Sequence, residues 1–159
     1  MPHPRSLEEQ VLHRFSYAVG LFHGAENTCR FGDARIATYG IPTFLLLGFS
    51  LENAFASYLM ACEHKNYGDY KKGHDLLAAL KACRLYGLFF APVDVQLVEK
   101  LTPHHKNFVF RYPEKMERVD LGPFRPVLRS SKNIIRDVEV GLKIRGFDPR
   151  AIVDALPDE

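Results

Sequence analysis

Hydrophobic residues recur at intervals of four and three along the first 30 residues of the chain. The pattern starts directly after Ser6, and Glu9 follows at the spacing of a capping box, which marks a helix N-terminus. The positions of this apolar stripe are Leu7, Val11, Phe15, Ala18, Phe22, Ala25 and Cys29. Because this spacing places them on one face of a helix, we predict a long amphipathic helix over Leu7–Arg30.

The next segment, 42–62, is apolar on almost every side. Pro42 suits the first turn of a helix, where the N–H that proline lacks would have no intrahelical partner. A helix that is apolar all round is typical of a buried position. We therefore predict a second helix here, at the centre of a helical bundle.

Glu52 is the only charged residue of that segment. The polar residues Ser50, Asn53 and Ser57 form one narrow stripe at i, i+3 and i+7, and Glu52 lies far around the helix from it. An isolated carboxylate among apolar side chains is very costly unless it is neutralised, paired or open to a cavity. The pattern therefore predicts an internal polar site at Glu52.

Three more helices are predicted downstream. They cover about 75–87, 92–101 with a stop at Pro103, and 126–144. A last short helix is expected over 148–156, because Asp-Pro at its start is an N-cap followed by a first-turn proline.

The period changes from helical to alternating over residues 108–112, where aromatic residues flank Val109 and Arg111. Alternation is typical of an extended segment, and residues 113–121 are predicted to turn it back as a small hairpin. The predicted fold class is therefore mainly α: an up-and-down bundle of about five helices with a short extended or hairpin insert before the last long helix.

Length and composition are those of one globular domain. A chain of 159 residues can bury a core, and its 47% hydrophobic and 25% charged shares are ordinary for a soluble protein. We expect a single domain over 1–159, with its core at about 7–145. The net charge of +2 excludes a general polyelectrolyte surface, so a nucleic-acid partner would need a local patch.

Cysteine usage and the N-terminus indicate the compartment. Cys29, Cys62 and Cys83 are odd in number and widely spaced, as expected for reduced thiols in a helical core. The N-terminal segment has no apolar signal region, and the run 41–51 is too short to span a bilayer before Glu52 interrupts it. We therefore expect a cytoplasmic protein without a membrane partner.

Two short segments outside the second helix are candidates to complete the site at Glu52. His74 and Asp75 lie at the start of the third helix, where Asp75 suits a cap, and Arg111 and Tyr112 belong to the extended segment. The predicted polar pocket comprises Glu52, His74, Asp75, Arg111 and Tyr112. Glu52 and Arg111 form either a structural salt bridge or an anion-binding site, and the sequence leaves both interpretations open.

No metal and no cofactor is expected. The pair His74-Asp75 also occurs in helical His-Asp phosphohydrolases, but the spacing of the remaining candidates matches no metal motif. Those candidates are His23, His64, Asp94 and Asp120. The neighbouring His104 and His105 are predicted to lie in a polar loop after Pro103. A phosphate-loop match over 68–75 fails because His74 replaces the required lysine, and there is no nucleophile elbow.

The last long helix carries a basic stripe. Its members are Arg125, Arg129, Lys132, Arg136 and Lys143. Their spacing places them on one side of the helix, opposite Ile134 and Val138. The stripe is either an ordinary solvated face, with Asp137 and Glu139 diluting its field, or a surface that contacts a nucleic-acid backbone.

Three motifs, in this order, resemble those of bacterial HEPN-like proteins, where HEPN denotes a higher-eukaryote and prokaryote nucleotide-binding domain. They are FSLENAF at 49–55, GHDL at 73–76 and FRYP at 110–113, and the resemblance covers about 7–145. It implies a helical bundle that pairs with itself or with a nucleotidyltransferase-like partner. Many members are metal-independent ribonucleases of toxin–antitoxin or defence systems. Those ribonucleases carry an Arg and a His separated by four to six residues, and no Arg of this chain has such a His.

The resemblance without that Arg–His pair implies a non-catalytic protein, dimeric, that binds nucleic acid, nucleotide or a protein partner. Two alternatives stay open. The first is an enzyme, ribonuclease or phosphohydrolase-like, with Glu52 or His74 as base and Arg111 as anion clamp. The second is a structural interaction module in which the pair of Glu52 and Arg111 locks the insert to the bundle.

Overall fold

The computed structural model describes residues 6–30, 36–62, 74–107 and 121–150. These residues form five helices, which confirms the mainly α bundle. The helices are α1 (Leu7–Arg30), α2 (Ile36–Ala61), α3 (Leu76–Leu85), α4 (Pro92–Lys106) and α5 (Phe124–Ile144). The predicted extended insert and most of the predicted last helix lie outside the described residues.

Helix α1 begins with the predicted capping box. The backbone N–H of Ser6 donates to Glu9 Oε2 at 2.7 Å, and the N–H of Glu9 donates to Ser6 Oγ at 3.1 Å. Two N–H groups that have no intrahelical partner are satisfied in this way. The helix then runs to Arg30, as its apolar period predicts.

Helix α2 lies at the centre of the bundle, as predicted. It contacts all four other described helices, and α1 most extensively. Its polar stripe faces α1: the Ser50 hydroxyl donates to the carbonyl of Ala18 at 2.7 Å, and Arg14 Nη1 donates to Asn53 Oδ1 at 3.2 Å. The face that carries Glu52 is consequently free to meet α3 and α4.

Two predicted helix limits are wrong, both at prolines. Helix α2 begins at Ile36, so Pro42 lies inside it, and α4 continues through Pro103 to Lys106. Both prolines are exposed, and so is Glu99, whose carbonyl would have paired with an N–H at Pro103. Water can satisfy a carbonyl on that side, which lowers the cost of the missing hydrogen bond. The continuation of α4 has a functional consequence, because it places two histidines on a helix.

One described helix is long and apolar enough to cross a membrane, namely the Gly40–Ala61 part of α2. Within the apolar 18-residue window of that stretch, 67% of the residues are buried inside the protein. This burial is consistent with the core helix of a soluble protein, in agreement with the central position predicted for α2.

Candidate functional site

Three polar side chains converge inside the bundle. Glu52 Oε2 lies 2.8 Å from His74 Nδ1 and 2.7 Å from His105 Nε2. The Glu52 side chain is 10% exposed, that of His105 2% and that of His74 20%. We call these three residues the Glu–His–His cluster. It joins the middle of α2 to the residue before the N-cap of α3 and to the last turn of α4.

His74 reaches Glu52 from an unusual backbone conformation. Its φ is +48°, and it is the only described residue other than glycine with a positive φ. Non-glycine residues seldom occupy this left-handed region, because it crowds the Cβ against the backbone. Asp75 then caps α3, with its Oδ1 accepting from the N–H of Ala78 at 2.9 Å. The strained residue is therefore held between its contact with Glu52 on one side and a capped helix on the other.

His105 reaches Glu52 because α4 continues past Pro103 and because α2 has a glycine opposite it. A Cβ on Gly48 would lie 3.0 Å from both Cε1 and Cγ of His105 and still closer to Nδ1. Real Cβ atoms do not approach neighbours so closely, so the imidazole occupies space that only glycine leaves. The ring packs directly against the backbone of the central helix.

An aromatic ring and an ion pair support the cluster. Phe49 meets both imidazoles edge to face, with ring centroids 6.2 Å from that of His74 and 4.9 Å from that of His105. Next to the two histidines, Lys106 Nζ lies 3.0 Å from Asp75 Oδ2 and ties the end of α4 to the start of α3. The residues that follow the two histidines, Asp75 and Lys106, thus form an ion pair, and the histidines themselves are connected through Glu52.

The Glu52 carboxyl is ionised in this setting. Burial raises its pKa, but the hydrogen bonds from His105 and His74 and their charge lower it by more, so that the pKa lies below its ordinary value. An ionised carboxylate can only accept hydrogen bonds. Both imidazole nitrogens that face Oε2 therefore carry a proton and donate it.

The structure brings together part of the predicted pocket. Glu52 and His74 are in direct contact, as the prediction of a common pocket requires. Asp75 lies beside them but bonds to Ala78 and Lys106. Arg111 and Tyr112 lie outside the described residues, so the proposed pairing of Glu52 with Arg111 stays a prediction.

His105 is the residue that the sequence interpretation missed, since it was assigned to a polar loop. The signal for it is present in the chain. Helix α4 buries one face, made of Asp94, Leu97, Val98, Leu101, Thr102 and His105. The spacing of three and four continues across Pro103 and places His105 one turn after Leu101 on the inward side.

The cluster has the donor set of a metal site. Among the described residues, Glu52, His74 and His105 are the group whose ligand atoms all lie within 4.8 Å of one another. Neither His23 nor Asp94, two ligands considered from the sequence, belongs to it. His64 and Asp120 lie outside the described residues.

The basic stripe of α5 is a second, separate feature. Arg125, Arg129, Lys132, Arg136 and Lys143 are all exposed. The opposite side of the helix supplies Val127, Ile134, Ile135, Val138 and Leu142 to the core. Lys143 pairs with Glu139, whereas the other four cations form no salt bridge with any described residue, although the charge of Arg136 acts on the neighbouring Asp137. We call these four residues the basic face.

Comparisons of the chain with protein-family models, with curated proteins and with solved structures find no match. The resemblance to HEPN-like proteins therefore stays a prediction carried by the three sequence motifs.

Proposed function

We propose that this protein is a non-catalytic, HEPN-like cytoplasmic protein that binds the phosphate backbone of nucleic acid through α5. The observation that supports it is the basic face, whose four cations are exposed and have no ion-pair partner among the described residues. Unpaired cations in a row are available to replace the counterions of a nucleic acid, and the release of those counterions favours binding.

The length of the basic face fits a short stretch of one strand. Arg125 and Arg136 are 11 residues apart. At about 1.5 Å per residue this separation is about 17 Å along the helix axis, which is long enough to meet several successive phosphates of one strand. A row of side chains of this kind contacts phosphates without reading bases, so binding is expected to depend strongly on salt and weakly on sequence.

The test is a titration of labelled single-stranded RNA and DNA, followed by fluorescence anisotropy. Four phosphate contacts on a single strand give a slope of log K against log salt of about −3, or a loss of about 50-fold between about 50 and 200 mM salt. Charge reversal at two positions, Arg129→Glu with Arg136→Glu, is expected to abolish most of the binding and to flatten the salt dependence.

The matched control is Arg84→Glu with Lys100→Glu. It makes the same change in net charge at exposed cations on α3 and α4. Its affinity should stay within a few-fold of that of the unmodified protein. Absence of binding at the lower salt, or an equal loss in both double variants, would contradict a site on α5.

The remaining parts of the proposal rest on the HEPN resemblance alone. They are binding of a mononucleotide, pairing with a second copy or with a nucleotidyltransferase-like protein, and a role in a toxin–antitoxin or defence system.

A further inference from the structure

We propose that Glu52, His74 and His105 form a binding site for one divalent transition-metal ion. This inference is independent of the proposed nucleic-acid function, because it rests on the interior of the bundle and not on α5. The observation behind it is convergence: two imidazole nitrogens from separate elements are aimed at a single carboxylate oxygen, Glu52 Oε2, at 2.8 and 2.7 Å.

The donor set selects the class of ion. Imidazole nitrogen suits zinc, iron, nickel and copper, whereas calcium and magnesium prefer sites built of oxygen atoms. Two histidines with one carboxylate are a donor set that zinc uses where a coordination position is left for water or another ligand. The cluster is therefore expected to take zinc and its first-row neighbours, and to bind magnesium and calcium weakly.

The two contacts at Oε2 are close to the ligand separation that an ion requires, and the ligand atoms of all three residues lie within 4.8 Å of one another. Ligand atoms about 2.0 Å from a tetrahedral ion are about 3.3 Å from each other. The two contacts in the cluster need to lengthen by about half an ångström each to reach this value. The ion then takes the place of the two hydrogens that now lie between the rings and Oε2. Each imidazole binds the ion in its neutral form, with its proton on the opposite ring nitrogen: a neutral ring moves its facing proton to that nitrogen, and a protonated ring releases the facing proton to water.

The surroundings hold the ligands in place and leave a way in. His105 is fixed against the bare backbone at Gly48, and His74 is fixed in a strained conformation just before the cap of α3. Strain of this kind persists where the surrounding structure enforces it, and it is concentrated at functional sites. The side chain of His74 is 20% exposed, so an ion and a water ligand can approach from that side.

Zinc affinity measured in competition with a chelating dye, after removal of metal with EDTA, tests the proposal. We expect one zinc ion per chain, and Co²⁺ in its place should show the visible absorption of an ion bound by nitrogen and oxygen. The variant His74→Gln should lose at least about 100-fold in zinc affinity, since changes to residues that merely support ligands already cost 10–100-fold. Zinc should raise the melting temperature of the unmodified protein but not of this variant.

Two histidine variants serve as controls. His13→Gln removes an exposed histidine of α1, and His104→Gln removes the neighbour of His105 on α4. Both should bind zinc as the unmodified protein does. His74 is partly exposed, so His74→Gln is expected to fold, and its circular dichroism spectrum checks this. The test therefore does not depend on Glu52→Gln, which changes a more deeply buried side chain and can unfold the protein. The proposal would be overturned if the folded protein bound neither Zn²⁺ nor Co²⁺, or if His74→Gln left its zinc affinity unchanged. The Glu–His–His cluster would then be a buried hydrogen-bond network without a metal.

Discussion

At the scale of single residues, Gly48 determines whether His105 can reach Glu52. The variant Gly48→Ala places a methyl group where the imidazole of His105 now lies. Either the ring leaves the cluster or α4 shifts away from α2. Overpacking of this kind costs about 1–3 kcal/mol, and we expect that loss in the free energy of unfolding measured with urea. Zinc affinity should fall in the same variant.

Gly20 provides the matched control for this prediction. It is also inside a helix, but a Cβ built there meets no atom within 4 Å. Alanine forms helix better than glycine, so Gly20→Ala should stabilise the protein by up to about 1 kcal/mol. If Gly48→Ala were as stable as Gly20→Ala, the close approach of His105 to α2 would be wrong.

The residues of the cluster differ in how far the sequence could predict them. Glu52 stands out in a single helix because its position on an apolar face is a local property. His74 was assigned to the same pocket because GHDL marks the start of the third helix and is one of the three motifs that resemble those of HEPN-like proteins. The contact with His105 spans 53 residues and depends on how α4 crosses α2, which no local pattern encodes.

At the scale of helices, periodicity predicted α1 and the central place of α2 well. The prediction failed where a proline was taken as the limit of a helix, at Pro42 as a start and at Pro103 as a stop. The cost of an internal proline depends on whether the freed carbonyl faces water or the core, and this depends on the rest of the fold. At Pro103 the exposed side made the proline tolerable, and the same error removed His105 from the predicted site.

The start of α3 gives a prediction at this scale. Asp75 both caps the helix and pairs with Lys106. The variant Asp75→Ala loses both contacts, and we expect a loss of about 1 kcal/mol in the free energy of unfolding, chiefly from the cap. Asp75→Asn keeps a good capping side chain and loses only the exposed ion pair, so it should cost less than about 0.5 kcal/mol.

Urea unfolding of both Asp75 variants separates the two contributions. If Asp75→Asn proved as destabilising as Asp75→Ala, the ion pair to Lys106 would be the main contact. In that case the ion pair would be what holds the ends of α3 and α4 together beside the cluster.

At the scale of the whole molecule, Tyr58 joins three distant parts of the chain. Its hydroxyl donates to the carbonyl of Tyr86, after α3, at 2.8 Å and accepts from Arg145 Nε, after α5, at 3.2 Å. Arg145 Nη2 donates to the same carbonyl at 2.9 Å. Burial raises the pKa of Tyr58, although Arg145 opposes this, so the phenol keeps the proton that it donates.

The variant Tyr58→Phe removes the hydrogen bonds of the hydroxyl to Tyr86 and Arg145, together with its contact to Cys62, and keeps the buried ring. Arg145 still satisfies the Tyr86 carbonyl, so no buried acceptor is left without a partner, and we expect a loss of only about 1 kcal/mol in urea unfolding. Tyr17→Phe, at a tyrosine that is 57% exposed on α1, should change stability by less than about 0.5 kcal/mol. An equal effect of the two variants would show that apolar packing alone joins α2, the turn after α3 and the end of α5. A larger loss confined to Tyr58→Phe, with unchanged zinc and nucleic-acid binding, would show that this contact stabilises the bundle independently of both proposed sites.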